Sequence, residues 1–128
     1  MQVNLRQVHL LHDELLSEMQ SKGYAIAPGE MGENITTHGL PILELSEGTL
    51  LKLGSEAVIR VTGLRNPCKQ IDTFRAGLLT EVVDRAQDGS LIRKAGVMCV
   101  VEQSGKVRAG DRITIVSRPK THIPLQPV

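Results

Sequence analysis

Aromatic side chains are almost missing from this chain. There is no Trp, and Tyr24 and Phe74 are the only two aromatics. A core without rings must be assembled from Val, Ile and Leu, which suits strands. The same scarcity removes the stacking platforms on which single-stranded nucleic acid is held. Long apolar runs are missing too, so no segment reaches the roughly 20 residues of a membrane span. The N-terminus also lacks the charged-then-apolar layout of a signal peptide. No block of like charge occurs, and 15 basic residues against 14 acidic ones leave no basic footprint for nucleic acid. Only two cysteines are present. With no secretory signal they point to free thiols in a reducing compartment rather than a disulfide. The expectation is a cytoplasmic protein whose partner is a small molecule or cofactor, not nucleic acid or a membrane.

At 128 residues the chain is long enough for one domain with a real core and too short for two. Val8, Leu10, Leu11, Leu15, Leu16 and Met19 recur at helical spacing, with Gly23 placed to stop the turn, so residues 7–21 are expected to form an amphipathic helix. His9 and His12 lie three apart on that helix. Such a pair could hold a metal, but no third ligand is evident nearby, and a solvated helix face is the preferred reading. A Gly-punctuated loop over 27–34 leads into a short strand at Ile35. Residues 50–53 and 57–62 read as strands around a Gly54-Ser55 turn, the second with Ala57, Ile59 and Val61 on one face. Phe74, Leu78, Leu79, Val82, Val83 and Ala86 recur at helical spacing, with Asp72 or Thr73 as cap and Gly89 as stop. Residues 97–101 form an apolar run suited to a strand buried on both faces, and Gln103-Ser104-Gly105 to a turn. Ile113 and Ile115 mark a last strand over 112–116, and the proline-bearing tail 118–128 is expected to lie irregularly on the surface. These elements predict a mainly β (α+β) domain spanning 1–128, an antiparallel β-barrel or curved sheet with two or three peripheral helices.

Cys68 carries the clearest chemical signal. It follows Pro67, which fixes its own φ and biases Asn66 to an extended shape, and it is flanked by Arg65 and Lys69. Two cations favour thiolate over thiol, and the thiolate is both nucleophile and metal ligand. A buried small hydrophobe is the other reading of such a residue. Arg65 offers a planar fork for a phosphate or carboxylate, or a surface salt bridge. Its position in a loop predicts that it serves a ligand rather than the fold. Asn34 could contact a ligand or tie its own loop. Glu33 could act as acid or base, or be solvated. Gly110-Asp111 reads as turn chemistry and Cys99 as inert packing within an apolar strand.

Three segments taken together, Gly32-Glu33-Asn34-Ile35, Thr62-Gly63-Leu64-Arg65-Asn66-Pro67-Cys68 and residues 105–113, resemble in order and separation the MOSC domain, named for the C-terminal part of molybdenum cofactor sulfurases. Arg6-Gln7-Val8 is similar to that family's approach to its first helix. The resemblance implies a β-barrel with peripheral helices. It makes Cys68 the catalytic and metal-ligating residue, and Arg65, Asn66, Asn34 and Lys69 the cofactor-binding ones, for a molybdenum cofactor. In the sulfurase branch the matching Cys carries sulfur as a persulfide; in the amidoxime-reducing branch it ligates molybdenum. Pyridoxal phosphate binding enters only as a family-level term. The implied function is a sulfur carrier or a molybdenum-dependent reductase of N-hydroxylated compounds. The alternative is a non-catalytic barrel that has lost the cofactor. Two departures stand out. Longer relatives place a strand and a Gly-Asp-Arg-His-like segment before the first helix, and Gly96-Val97-Met98-Cys99 lacks an aromatic and an arginine common after the matching Gly. A missing first strand would leave a bare sheet edge, which predicts a homodimer unless the tail from Arg118 folds back to cover it.

Overall fold

The computed structural model describes residues 4–66, 76–85, 87–89 and 91–128. Cys68, Lys69, Asp72, Thr73 and Phe74 lie outside the described residues. In chain order the elements are β1 (Val8–His12), α1 (Asp13–Ser21), β2 (Ile35–Thr37), a 3-10 turn (Ile42–Glu44), β3 (Leu50–Leu53), β4 (Ala57–Leu64), α2 (Leu78–Glu81), β5 (Val83–Arg85), β6 (Leu91–Arg93), β7 (Val97–Gln103) and β8 (Ile113–Ser117). Six strands form one sheet in the order β2-β1-β7-β4-β3-β8, curled into a half-barrel, and β5 and β6 make a separate hairpin. All pairings are antiparallel except β1 with β2. No described helix is long and apolar enough to cross a membrane.

The aliphatic alternation read from the sequence builds the inner face. Leu51, Leu53, Ala57, Ile59, Val61, Val97 and Cys99 point into one cluster, closed by Ile42 of the 3-10 turn, by Leu45 just after it and by Leu125 of the tail. Fully burying one such Leu or Ile stabilises by about 1.5–3 kcal/mol. A second cluster lies between α1 and the sheet, where Leu15, Leu16 and Met19 meet Leu11, Leu78, Val82 and Ala95. Strand β1 divides its side chains between the two, Leu10 inward and Leu11 against α1. That division explains the first correction. The helix expected over 7–21 begins only at Asp13, and 8–12 form a strand between β2 and β7. An apolar pair buried on opposite faces of a strand mimics helical spacing, and hydrogen-bonding partners on both edges override local propensity. Asp13 and Glu14 then sit in the first turn of α1, where negative charge suits the helix dipole.

The second expected helix also ends early. Among the described residues it is α2, which stops at Glu81, and the chain then enters the β5–β6 hairpin. Gly89, at φ 87°, serves the hairpin tip rather than a helix stop, and Asp88-Gly89 is a hairpin signal in its own right. Strand β7 runs through Gln103, so that residue continues the ladder instead of starting a turn. Val97 to Val100 are buried as expected, but Val101 is 47% exposed.

The tail is irregular but not loose. The Glu47 N–H donates to the Ile123 carbonyl at 2.9 Å, and the Ile123 N–H donates to Ser46 Oγ at 2.9 Å. Further on, Leu64 N–H donates to the Gln126 carbonyl at 2.8 Å and Val128 N–H to the Leu64 carbonyl at 3.1 Å. Gly63 permits this approach, because a Cβ there would collide with the Gln126 carbonyl oxygen and the Val128 side chain. The tail therefore extends the ladder at the exit of β4, which leads directly to Cys68. Truncation after Thr121 removes these bonds and buried Leu125, and is expected to cost about 2–3 kcal/mol. A thermal melt should fall by several degrees, with Gly63→Ala shifting it in the same direction; unchanged melts for both would make the tail a passenger.

Candidate functional site

Strand β4 delivers the chain to Cys68, and the last described residues before it are tightly placed. Arg65 N–H donates to the Gly96 carbonyl at 3.0 Å, and its Nη1 donates to the Met31 carbonyl at 2.6 Å. Asn66 is exposed, and its Oδ1 accepts from Arg93 Nε at 3.2 Å. The half-buried Arg65 guanidinium thus pins the Gly-rich loop, a structural duty that its loop position did not reveal. That loop is itself braced by the Ala27 N–H bond to Glu30 Oε1 at 2.7 Å.

The loop turns Glu33 inward and leaves Asn34 exposed at the edge of β1. Asn34 exchanges two bonds with β1: its N–H donates to the His9 carbonyl at 2.9 Å, and its Oδ1 accepts from the His9 N–H at 2.7 Å. The side chain therefore ties the loop to the sheet, as Asn often does. Glu33, expected among solvated carboxylates, is only 7% exposed. Its Oε2 accepts from Thr36 Oγ1 at 2.9 Å, while buried Oε1 has no partner among the described residues.

His9 is the residue that sequence reasoning misplaced. On a strand rather than a helix, it and His12 no longer share a face. It is 5% exposed, and its Nε2 lies 2.7 Å from the Ala95 carbonyl, so Nε2 carries the proton. Burial holds its pKa below the usual imidazole range and Arg65 adds to this, against the Ala95 and Gly32 carbonyls and the Glu33 carboxylate. Gly96, at φ 100°, makes room for it, since a Cβ there would meet both the Leu10 carbonyl and His9 Nε2. The site thus gathers a neutral imidazole, a buried carboxylate with one oxygen unpartnered among the described residues and an anchored guanidinium, the last three residues ahead of Cys68. A sequence signal for His9 existed only in strand alternation, which the helical spacing of 8–19 concealed.

Other sequence-predicted residues fall elsewhere. Cys99 is fully buried, and burial pushes its thiol up to about 12, which fits inert packing. Asp111 makes the expected turn, its Oδ2 accepting from Arg108 N–H at 2.8 Å. The segment 105–113 does not join His9 and Glu33; part of it lines a groove of about 920 Å³ that Asn34 also borders. Asp13, Glu14 and His38 form an exposed cluster in which His38 Nδ1 lies 2.9 Å from Asp13 Oδ1, a bond that raises the His38 pKa.

The MOSC domain family matches residues 2–114. The YuaD protein of Bacillus subtilis, whose name refers to metal-sulfur cluster biosynthesis, is 29% identical over 121 residues, covering 89% of this chain and 62% of its own. Its solved structure superimposes with a TM-score of 0.71 at 26% identity, over 88% of this chain and 64% of that one. The structure of YiiM from Geobacillus stearothermophilus gives 0.73 at 21% identity, over 93% and 58%. The chain therefore spans about six-tenths of the length of these relatives.

Burial of neutral His9 and half-buried His12 has a pH signature. Both pKa values lie below 6.5 in the folded chain, so below that pH the unfolded chain binds more protons and stability is lost as pH falls. The urea midpoint should drop between about pH 7 and about pH 5, and His9→Gln, which retains a donor for Ala95, should flatten that slope. An unchanged slope would mean that His9 ionises freely in the folded state.

Proposed function

The chain belongs to the MOSC domain family, which is linked to the molybdenum cofactor, and on that footing we propose that it binds a molybdenum-pterin or sulfur-bearing ligand through Cys68. The observation that carries this reading is the anchoring of the Cys68 approach. Arg65 is fixed by backbone to Gly96 and by side chain to Met31, beside a buried carboxylate whose Oε1 has no partner among the described residues. An unpartnered buried acceptor costs about 1–3 kcal/mol, which favours a donor beyond the described residues, from a ligand, an ordered water or another part of the chain.

The donor set fits such a group. Cys68 supplies a soft sulfur suited to molybdenum or to a sulfane sulfur, and Arg65 and Lys69 bias it toward the thiolate. When bound, molybdenum would supply the two-electron chemistry needed to reduce an N-hydroxyl group; without it, the thiolate would carry sulfur as a persulfide. In either role His9 stays neutral beside the site and holds its proton on Nε2 against Ala95. Glu33 keeps an acceptor directed away from Thr36, and Asn34 fixes the loop that carries it. Asn66, through Arg93, and Lys69 would bear on the anionic part of the ligand.

One observation favours a second reading, a barrel kept as a binding module without cofactor. The Asn34 oxygen is already engaged by the β1 backbone, and Arg65 Nη1 by Met31. Metal and persulfide analysis of protein produced in a molybdenum-replete host separates the two. Stoichiometric molybdenum or sulfane sulfur is expected, lost on Cys68→Ser, and limiting iodoacetamide should label Cys68 well before Cys99. Neither molybdenum nor sulfur, with Cys68 no more reactive than Cys99, would leave the non-catalytic module.

A further inference from the structure

The two edges of the main sheet border one groove. Strand β2 ends the sheet on one side and β8 on the other, and the curl brings β2 and the loop after it opposite the segment that leads into β8. The groove between them, about 920 Å³, is floored by the main core: Ile35, Leu40, Leu53 and Ile113 line it, and all four belong to or pack on that cluster. Three of them remain only half-buried, so the half-barrel leaves its core incompletely covered along this seam. The β2 wall presents strand backbone with no further strand beside it among the described residues. It also holds Thr37, 3% exposed, whose Oγ1 has no partner among the described residues.

Charge narrows the occupant. Arg108 and Arg112 stand exposed on the opposite wall, and neither has an ion pair or side-chain hydrogen bond among the described residues. The nearby Asp111 carboxylate is engaged by the Arg108 backbone and packs where Gly54 has no Cβ. A second copy of this chain fits poorly along the β8 edge. Pairing β8 antiparallel with itself about Ile115 would bring Arg112 and Arg118 face to face at both ends, a like-charge arrangement that protects edges from self-pairing. An acidic-ended strand meets the same guanidiniums favourably.

We propose that this groove accepts an extended peptide strand from a partner protein, apolar on one face and flanked by acidic residues, added to the bare edge of β2. Strand addition supplies backbone partners to the edge, while alternate side chains reach the floor made by Ile35, Leu53 and Ile113. The acidic flanks meet Arg108 and Arg112 at the rim, where charge sets partner choice. The inference is independent of the chemistry at Cys68.

The test uses the full chain and two labelled synthetic peptides of alternating valine and threonine, one with glutamates at both ends and one with lysines. Fluorescence anisotropy should show binding of the glutamate-ended peptide alone, weakened about tenfold or more by Arg108→Glu with Arg112→Glu. Amide exchange of the complex should slow across 35–37. Both substitutions are at exposed positions, and circular dichroism checks that the variant folds. Equal binding of the two peptides, no binding by either at millimolar concentration, or no effect of charge reversal would overturn the proposal. So would light scattering that shows the peptide-free chain already self-associated, with 35–37 protected in that state.

Discussion

The close approach at Gly96 is the constraint on which most of this molecule turns. The residue enters β7 with no Cβ, and a methyl there would strike the Leu10 carbonyl and the His9 ring at once. Because it is absent, β1 can lie against β7 while His9 folds inward to the Ala95 carbonyl. The Gly96 carbonyl on the other side receives the Arg65 N–H and so sets where β4 releases the chain toward Cys68. Sheet pairing and site geometry are therefore decided at one position. Any side chain at 96 would have to separate β1 from β7 or expel His9, and either change would move Arg65.

Around that point the structure is layered by function. The aliphatic inner face holds the half-barrel together, and the tail adds backbone bonds to Leu64 at the end of β4. The segment between 27 and 34 contributes little apolar burial beyond Met31, which is 4% exposed. It is positioned instead by polar contacts: Arg65 to Met31, Asn34 to β1, and Ala27 to Glu30. Hydrogen bonds are directional where hydrophobic contact is not. A loop fixed in this manner holds Glu33 in one orientation without needing a core of its own.

Much of this was legible from residues alone, for identifiable reasons. Strands β4 and β8 showed themselves through apolar positions that recur every second residue, and β3 through the Gly54-Ser55 turn that joins it to β4. The Gly32-Glu33-Asn34 and Arg65-to-Cys68 segments were recognisable because their order is that of a family. What escaped reading was wherever two faces are buried together. Strand β1 carries Leu10 and Leu11 into different clusters, so its apolar positions imitate a helix and displace His9 onto an imagined solvated face. The β5–β6 hairpin was hidden the same way, because Leu78 and Val82 keep helical spacing for one turn before Asp88-Gly89 reverses the chain. Arg65 shows the remaining kind of gap. Its partner is a backbone carbonyl 34 residues away, and no pattern in the sequence encodes which carbonyl a guanidinium will find.

The energetic cost of the site lies in the same few residues. A buried carboxylate oxygen without a partner among the described residues and an imidazole kept from ionising both oppose folding, the first by about 1–3 kcal/mol. A domain of this size has a total stability of about 5–15 kcal/mol, so such terms are a sizeable fraction of it. A core built only for stability would place aliphatic side chains at 9 and 33, as it does at 11 and 35. That polar groups stand there instead, beside the exit of β4 and not in the main barrel cluster, places the departure from local consistency at the approach to Cys68, as the proposed ligand site would require. The opposite case is Cys99, on the neighbouring strand, whose thiol is pushed up to about 12 by burial and is left as packing. Two cysteines in one small domain thus follow opposite designs. One is sealed among aliphatic side chains, and the approach to the other is held by the Gly96 and Met31 carbonyls that Arg65 grips.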